Sequence, residues 1–158
     1  MAVLEIRKVG DPVLRAQAKP VRKIGPSLRS LVDDMLETMY AAKGVGLAAP
    51  QVGVSKQLVV VDVGEGPWVL FNPTLSRTEG EVIGSEGCLS VPGVYGEVKR
   101  FERVVATGLD REGRQIWIPG EGLLARALQH EIDHLAGVLF LDKALSLQEG
   151  GQEEAAED

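Results

Sequence analysis

Apolar positions along the chain follow two periods, and each period marks a different kind of element. Between Pro26 and Ala42 the apolar residues are Leu28, Leu31, Val32, Met35, Leu36, Met39 and Tyr40. That i, i+3, i+4, i+7 spacing puts them on one stripe and predicts an amphipathic helix over 26–42. Pro26 suits the first turn, and Gly44 suits a left-handed position just past the end. A second helix is predicted over 121–136, stopping at Gly137. Leu123, Leu124, Ala127, Leu128, Ile132 and Leu135 surround most of its circumference, so it is expected to be buried. Between the helices lie short runs rich in Val and Ile, bounded by Gly, Pro and Asp. They predict strands at 58–63, 68–72, 104–109 and 115–118, the last two joined by a turn at Asp110-Arg111-Glu112-Gly113.

Outside these segments the pattern is looser. Residues before 26, with Gly10-Asp11-Pro12, Pro20 and Gly25-Pro26, read as an extended arm with turns. Residues 44–51 read as a Gly-rich loop, and those just after Gly137 as a short helix. From Gln148 to Asp158 the chain is mostly Gly, Ala and acid, which predicts a disordered tail. The expected fold is α+β: a single domain over 1–147, with antiparallel strands packed around a central metal-binding helix, then an acidic tail over 148–158.

Composition narrows the function classes. At 158 residues, 44% hydrophobic and 25% charged, the chain can bury a sizeable core. Its net charge of −6 argues against a DNA or RNA binder, which needs a basic face to displace phosphate counterions. The start, Met1-Ala2-Val3-Leu4-Glu5, shows no basic leader and apolar run, and no stretch approaches the ~20 apolar residues that span a bilayer. A single cysteine excludes an internal disulfide and fits a cytoplasm or an organelle interior.

The candidate chemistry sits on the second helix, in Gln129-His130-Glu131-Ile132-Asp133-His134. Residues four apart on a helix share a face, so His130 and His134 can bind one metal ion together. Glu131 then lies beside the water that such an ion would activate. These are the only two histidines in the chain, and a buried helix makes a solvated pair a poor alternative. A catalytic site usually has a third protein ligand. The downstream position that supplies it in one class of helix-borne metalloproteases holds Phe140, which cannot ligate. The best upstream candidate is Cys88, in Glu86-Gly87-Cys88-Leu89-Ser90, because a thiolate is a strong ligand for zinc or iron and the neighbouring Gly permits close approach.

Three segments, Gly44-Val45-Gly46-Leu47-Ala48-Ala49-Pro50-Gln51, Glu86-Gly87-Cys88-Leu89-Ser90 and Gln129-His130-Glu131-Ile132-Asp133-His134, now stand in one order. They resemble the three signature motifs of the peptide deformylases. The likeness runs from Gly10-Asp11-Pro12-Val13-Leu14-Arg15 to Leu141-Asp142. It implies a metal-dependent hydrolase that removes the N-formyl group from the terminal methionine of new polypeptides and releases formate. It implies Cys88, His130 and His134 as metal ligands, Glu131 as the catalytic carboxylate, and the Gln51 amide and Leu89 N–H as oxyanion donors. Val45, Gly46 and Gly87 resemble the backbone rails that hold the peptide. Val45, Leu123 and Ala127 match walls of the methionine pocket. The implied cofactor is one divalent metal ion per chain, ferrous iron in the cell, with zinc, nickel or cobalt as other occupants. The implied partners are N-formylmethionyl nascent peptides and, transiently, the ribosome.

The chain departs from the family pattern in places. Tyr95 stands where some relatives have a basic residue, and Arg126 where many are apolar. The acidic end replaces a basic, ribosome-docking helix. Glu86 is expected to brace its loop. The competing expectations are a metallopeptidase or aminoacylase acting on other amides, and an inactive metal-binding relative.

Overall fold

The computed structural model describes residues 2–149. Strands β1 (Gly46–Ala48), β2 (Leu58–Val61), β3 (Trp68–Glu79), β6 (Arg103–Leu109) and β7 (Gln115–Glu121) form a five-stranded sheet in that spatial order. Strands β4 (Val82–Cys88), β5 (Val91–Arg100) and β8 (Ala144–Glu149) form a three-stranded sheet. All ladders are antiparallel. Two α-helices, α1 (Pro26–Ala41) and α2 (Leu123–Leu135), complete the architecture, which is the α+β class expected. Among the described residues no helix is long and apolar enough to cross a membrane.

The position of β2 explains its sequence. Leu58 and Val60, with Phe71 of β3, pack on Val32, Met35 and Met39 of α1. Val59 and Val61, with Leu70, face the other way onto Ala125, Ala127 and Leu128 of α2. Successive strand side chains point to opposite faces, so a strand covered on both has no polar position left.

Helix α2 lies between the two sheets, and its two sides differ chemically. One side is the apolar contact just described. The other is polar: Gln129 Oε1 accepts from Phe101 N–H at 2.9 Å, and its Nε2 donates to the Phe101 carbonyl at 2.9 Å. The helix ends in a Schellman arrangement, with Val138 N–H on the Asp133 carbonyl and Gly137 N–H on that of His134. Gly137 takes φ +76°, and a Cβ there would lie 2.5 Å from the Arg15 carbonyl oxygen. Glycine is required at this end both for its conformation and for the approach of the arm.

Several boundaries differ from expectation. Helix α1 stops at Ala41, one residue early, so the left-handed position falls on Lys43 (φ 60°) and not on Gly44. Strand β3 continues past Asn72, where the sequence suggested a break. Asn72 is a left-handed bulge residue (φ 53°) whose amide exchanges two 2.8 Å hydrogen bonds with the Val21 backbone. Strands β1, β4, β5 and β8 are not among the predicted strands. In β4 and β5 the alternation is broken by Gly84, Gly87, Pro92, Gly93 and Gly96, and by Glu86, a charged residue facing inward. The short helix expected after Gly137 is a 3₁₀ turn at Phe140–Asp142, followed by β8. Gln148 and Glu149, placed by sequence at the start of the tail, pair with β5, and the rest of the expected tail lies outside the described residues.

Candidate metal centre

Two loops converge on the C-terminal half of α2. His130, Glu131 and His134 project from the helix. Cys88 comes from the end of β4, and Leu89-Ser90 form the tight turn into β5. Gln51 comes from the 3₁₀ turn after β1. Cys88, His130 and His134 are all buried, and their ligating atoms lie within 4.8 Å of one another. Cys88 Sγ is 3.3 Å from His134 Nε2. The edge of a tetrahedron built on ~2.3 Å metal–sulfur and ~2.1 Å metal–nitrogen bonds is about 3.6 Å. The donor set therefore fits a divalent ion in both chemistry and spacing.

Electrostatics point the same way. Burial alone would push the His130 imidazole down, but hydrogen bonds with Cys88 and Glu86 outweigh it and hold it well above the usual range. His134 is held well below, by burial and by the positive neighbours His130, Arg100 and Arg15. The spot framed by Glu86, Cys88 and Glu131 thus attracts positive charge, and a bound cation would supply it.

Glu86 is the hub around His130. Its Oε1 faces His130 Nδ1 at 3.0 Å, and Arg100 donates to both its oxygens at 2.7 and 2.8 Å. Arg126 adds a third cationic contact at 2.6 Å. Burial would raise the carboxyl, but Arg100 and His130 overcome it and hold it at about 2. With Nδ1 engaged, His130 has Nε2 left to face Cys88 and His134. Glu86 braces the loop as expected and also orients a histidine. Arg100 went unnoticed in the sequence, because its partners Glu86 and Asp133 lie 14 and 33 residues away.

Glu131 lies flat against β1. A Cβ on Gly46 would sit 2.5 Å from Glu131 Oε2 and 2.9 Å from its Cγ and Cδ, so only glycine lets the carboxylate occupy this place. Gln51 is fixed by its own amide: Oε1 accepts from Ala48 N–H at 2.9 Å. That sends Nε2 to Ser90 Oγ at 3.0 Å and to within 3.6 Å of Cys88 Sγ. The N-terminal arm joins both loops, donating from Arg7 N–H to the Gln51 carbonyl and from Val9 N–H to that of Ser90.

A cavity of about 290 Å³ opens onto this cluster. Val45, Gly46, Leu123 and Ala127 line it, together with Gln51, Leu89, Glu131 and Arg126. Gly87 does not line it; it is buried in β4 at the irregular step in the pairing with β5. Tyr95 also stands apart, on β5 opposite Gln148. A wider groove of about 400 Å³ along β3, β6 and β7 holds Arg103 and Glu79, which pair with each other, and gathers no comparable chemistry.

Known proteins are similar to this chain in sequence and fold. The family model for polypeptide deformylase matches residues 3–150. A peptide deformylase of Symbiobacterium thermophilum is 56% identical over 99% of this chain and 76% of its own. One from Halothermothrix orenii is 58% identical over 94% and 98%. Among solved structures, the Synechococcus elongatus peptide deformylase in complex with actinonin superposes with a TM-score of 0.88 at 50% identity, covering 90% of this chain and 79% of that one. The Thermotoga maritima enzyme gives 0.89 at 43% identity, covering 91% and 99%. With the family model matching almost the whole chain, this protein belongs to the polypeptide deformylase family.

Proposed function

We propose that this chain hydrolyses the N-formyl group of formylmethionyl nascent peptides, releasing formate and a free amine. The observation that carries this reading is the convergence of a buried Cys/His/His donor set, an adjacent carboxylate and an oriented amide on one cavity. Cys88, His130 and His134 hold the metal. When bound there, a divalent ion supplies Lewis acidity that brings the pKa of water toward neutrality. Ferrous iron is the ion in the cell, with zinc, nickel or cobalt as other occupants.

The chain's own residues do the rest. Glu131, held beside the donor set by the bare backbone of Gly46, takes a proton from the attacking water. As the C–O bond forms on the formyl carbon, charge grows on the carbonyl oxygen. The Gln51 side-chain amide and the Leu89 N–H stabilise it, each such donor contributing about 3 kcal/mol. Glu131 then passes its proton to the departing nitrogen as the C–N bond breaks. Val45, Leu123 and Ala127 receive the first side chain, and the backbone at Val45 and Gly46 guides the peptide. The substrate places the enzyme where formylated chains emerge, in a bacterial cytoplasm or an organelle interior, with transient contact at the ribosome.

The test is an anaerobic assay of formate release from formyl-Met-Ala-Ser, with metal analysis of the same sample. Formate release with about one ion per chain, chiefly iron when purified without oxygen, is the expected result. Cleavage of internal peptide bonds without formate would make the chain a metallopeptidase, and metal without turnover an inactive relative.

A further inference from the structure

Arg126 is a charged residue of the cavity lining that the proposed reaction does not use. It stands one turn before His130 on α2, and its side chain is 13% exposed. Its Nη1 donates to Glu86 Oε2 at 2.6 Å and to the carbonyls of Val98 and Gly84 at 3.1 and 3.4 Å; its Nη2 donates to the Val82 carbonyl at 3.2 Å. One carboxylate and three strand carbonyls thus fix the guanidinium, which makes it a wall and not a mobile surface group. The room it fills exists because residue 84 is glycine. A Cβ at Gly84 would lie 3.0 Å from Nη2 and 3.1 Å from Cζ of Arg126. Val45, Leu123 and Ala127 supply apolar wall in the same cavity, so the lining is apolar in part and cationic in part.

We propose that Arg126, seated against Gly84, determines specificity for the first side chain of the peptide, favouring unbranched side chains that end in a hydrogen-bond acceptor over hydrocarbons of equal length. This rests on the deformylase reading above. A hydrocarbon entering the cavity strips water from a guanidinium and returns nothing, whereas an acceptor restores the lost contact. The thioether of methionine accepts weakly, and the oxygen of methionine sulfoxide accepts strongly.

The test compares specificity constants for formyl-Met-Ala-Ser and its norleucine and methionine-sulfoxide counterparts, on the metal-loaded wild type and on Arg126→Leu. The two Arg100 contacts to Glu86 do not involve Arg126, so the substitution removes neither partner. The sulfoxide-to-norleucine ratio should fall roughly tenfold or more, the usual worth of a hydrogen bond to a charged donor. Because the ratio is read within each protein, a general loss of activity cancels. Arg126→Met, of similar length, carries the same expectation if Arg126→Leu does not fold. An unaltered ratio in the folded variant overturns the proposal. So does a thermal-unfolding cycle in which Gly84→Ala costs as much without the Arg126 guanidinium as with it. Absence of formate from all three peptides on wild type would overturn the deformylase reading itself.

Discussion

His130 reaches the cavity with its ring already turned. Glu86 holds Nδ1, Arg100 holds Glu86, and the remaining nitrogen faces the thiol and the second imidazole. At this scale each donor is irreplaceable, since the chain has one cysteine and two histidines. Cys88→Ala or His134→Ala should strip or greatly weaken the metal, as metal analysis after dialysis would read. Full occupancy and activity in Cys88→Ala would end the three-ligand assignment. The role proposed for Glu131 is different. Glu131→Gln should keep the metal and lose turnover by ~100-fold or more, the usual worth of a general acid–base group. Loss of metal in step with activity would put Glu131 in the coordination shell. These residues were legible in the sequence because an i, i+4 pair with an intervening Glu carries its own geometry. Arg100 was not, because a buried ion pair between residues on separate elements leaves no local pattern.

Elements show the same division. Helices α1 and α2 and strand β2 were legible because a stripe or an unbroken apolar run survives in one dimension. Strands β4 and β5 were not, because their inward positions hold Gly84 and Glu86, which serve Arg126 and His130 and so break the alternation. The joint between this hairpin and α2 is ionic. Arg100, with its side chain 2% exposed, bridges Glu86 and Asp133. Arg100→Leu leaves Glu86 buried with less compensation and should cost about 3 kcal/mol, measured by chemical denaturation of the metal-loaded protein. A cost under ~1 kcal/mol would mean that water reaches the cluster. A second joint ties α1 to the loop after β2, where Tyr40 donates to Asp62 at 2.5 Å. Partial burial and the hydrogen bond to Asp62 raise the Tyr40 phenol from 10.0 to about 12, although the side chain keeps one edge in solvent. The folded state therefore keeps this proton longer than the unfolded one. The contribution is full below about pH 10 and is lost as pH rises through about 12. Tyr40→Phe should lack that alkaline decline; parallel denaturation midpoints for both proteins across this range would refute the coupling.

At the scale of the whole molecule, the acyl site is an assembly that no single element contains. Gly46 and Gln51 come from β1 and the turn after it, Cys88 and Leu89 from the three-stranded sheet, and Glu131 from the helix between. The arm at Arg7 and Val9 ties the two loops that carry Gln51 and Ser90. The motifs were legible singly, but their closure around one cavity depends on long-range packing, including the arm, whose part is played by backbone groups that any sequence supplies. The consequence is selectivity for the smallest acyl group. In the proposed mechanism the reacting carbon sits between the donor set, the Gln51 amide and the Leu89 N–H, beside a Gly46 backbone packed against Glu131. A formyl carbon brings only hydrogen there, whereas an acetyl carbon brings a methyl. Overfilling a close-packed site costs ~1–3 kcal/mol, and more where the wall is backbone. At ~1.4 kcal/mol per tenfold, formyl-Met-Ala-Ser should be favoured over acetyl-Met-Ala-Ser by at least ten- to hundredfold in specificity constant on one metal form. Equal constants would mean that the loops stand open and the chain acts as a general aminoacylase.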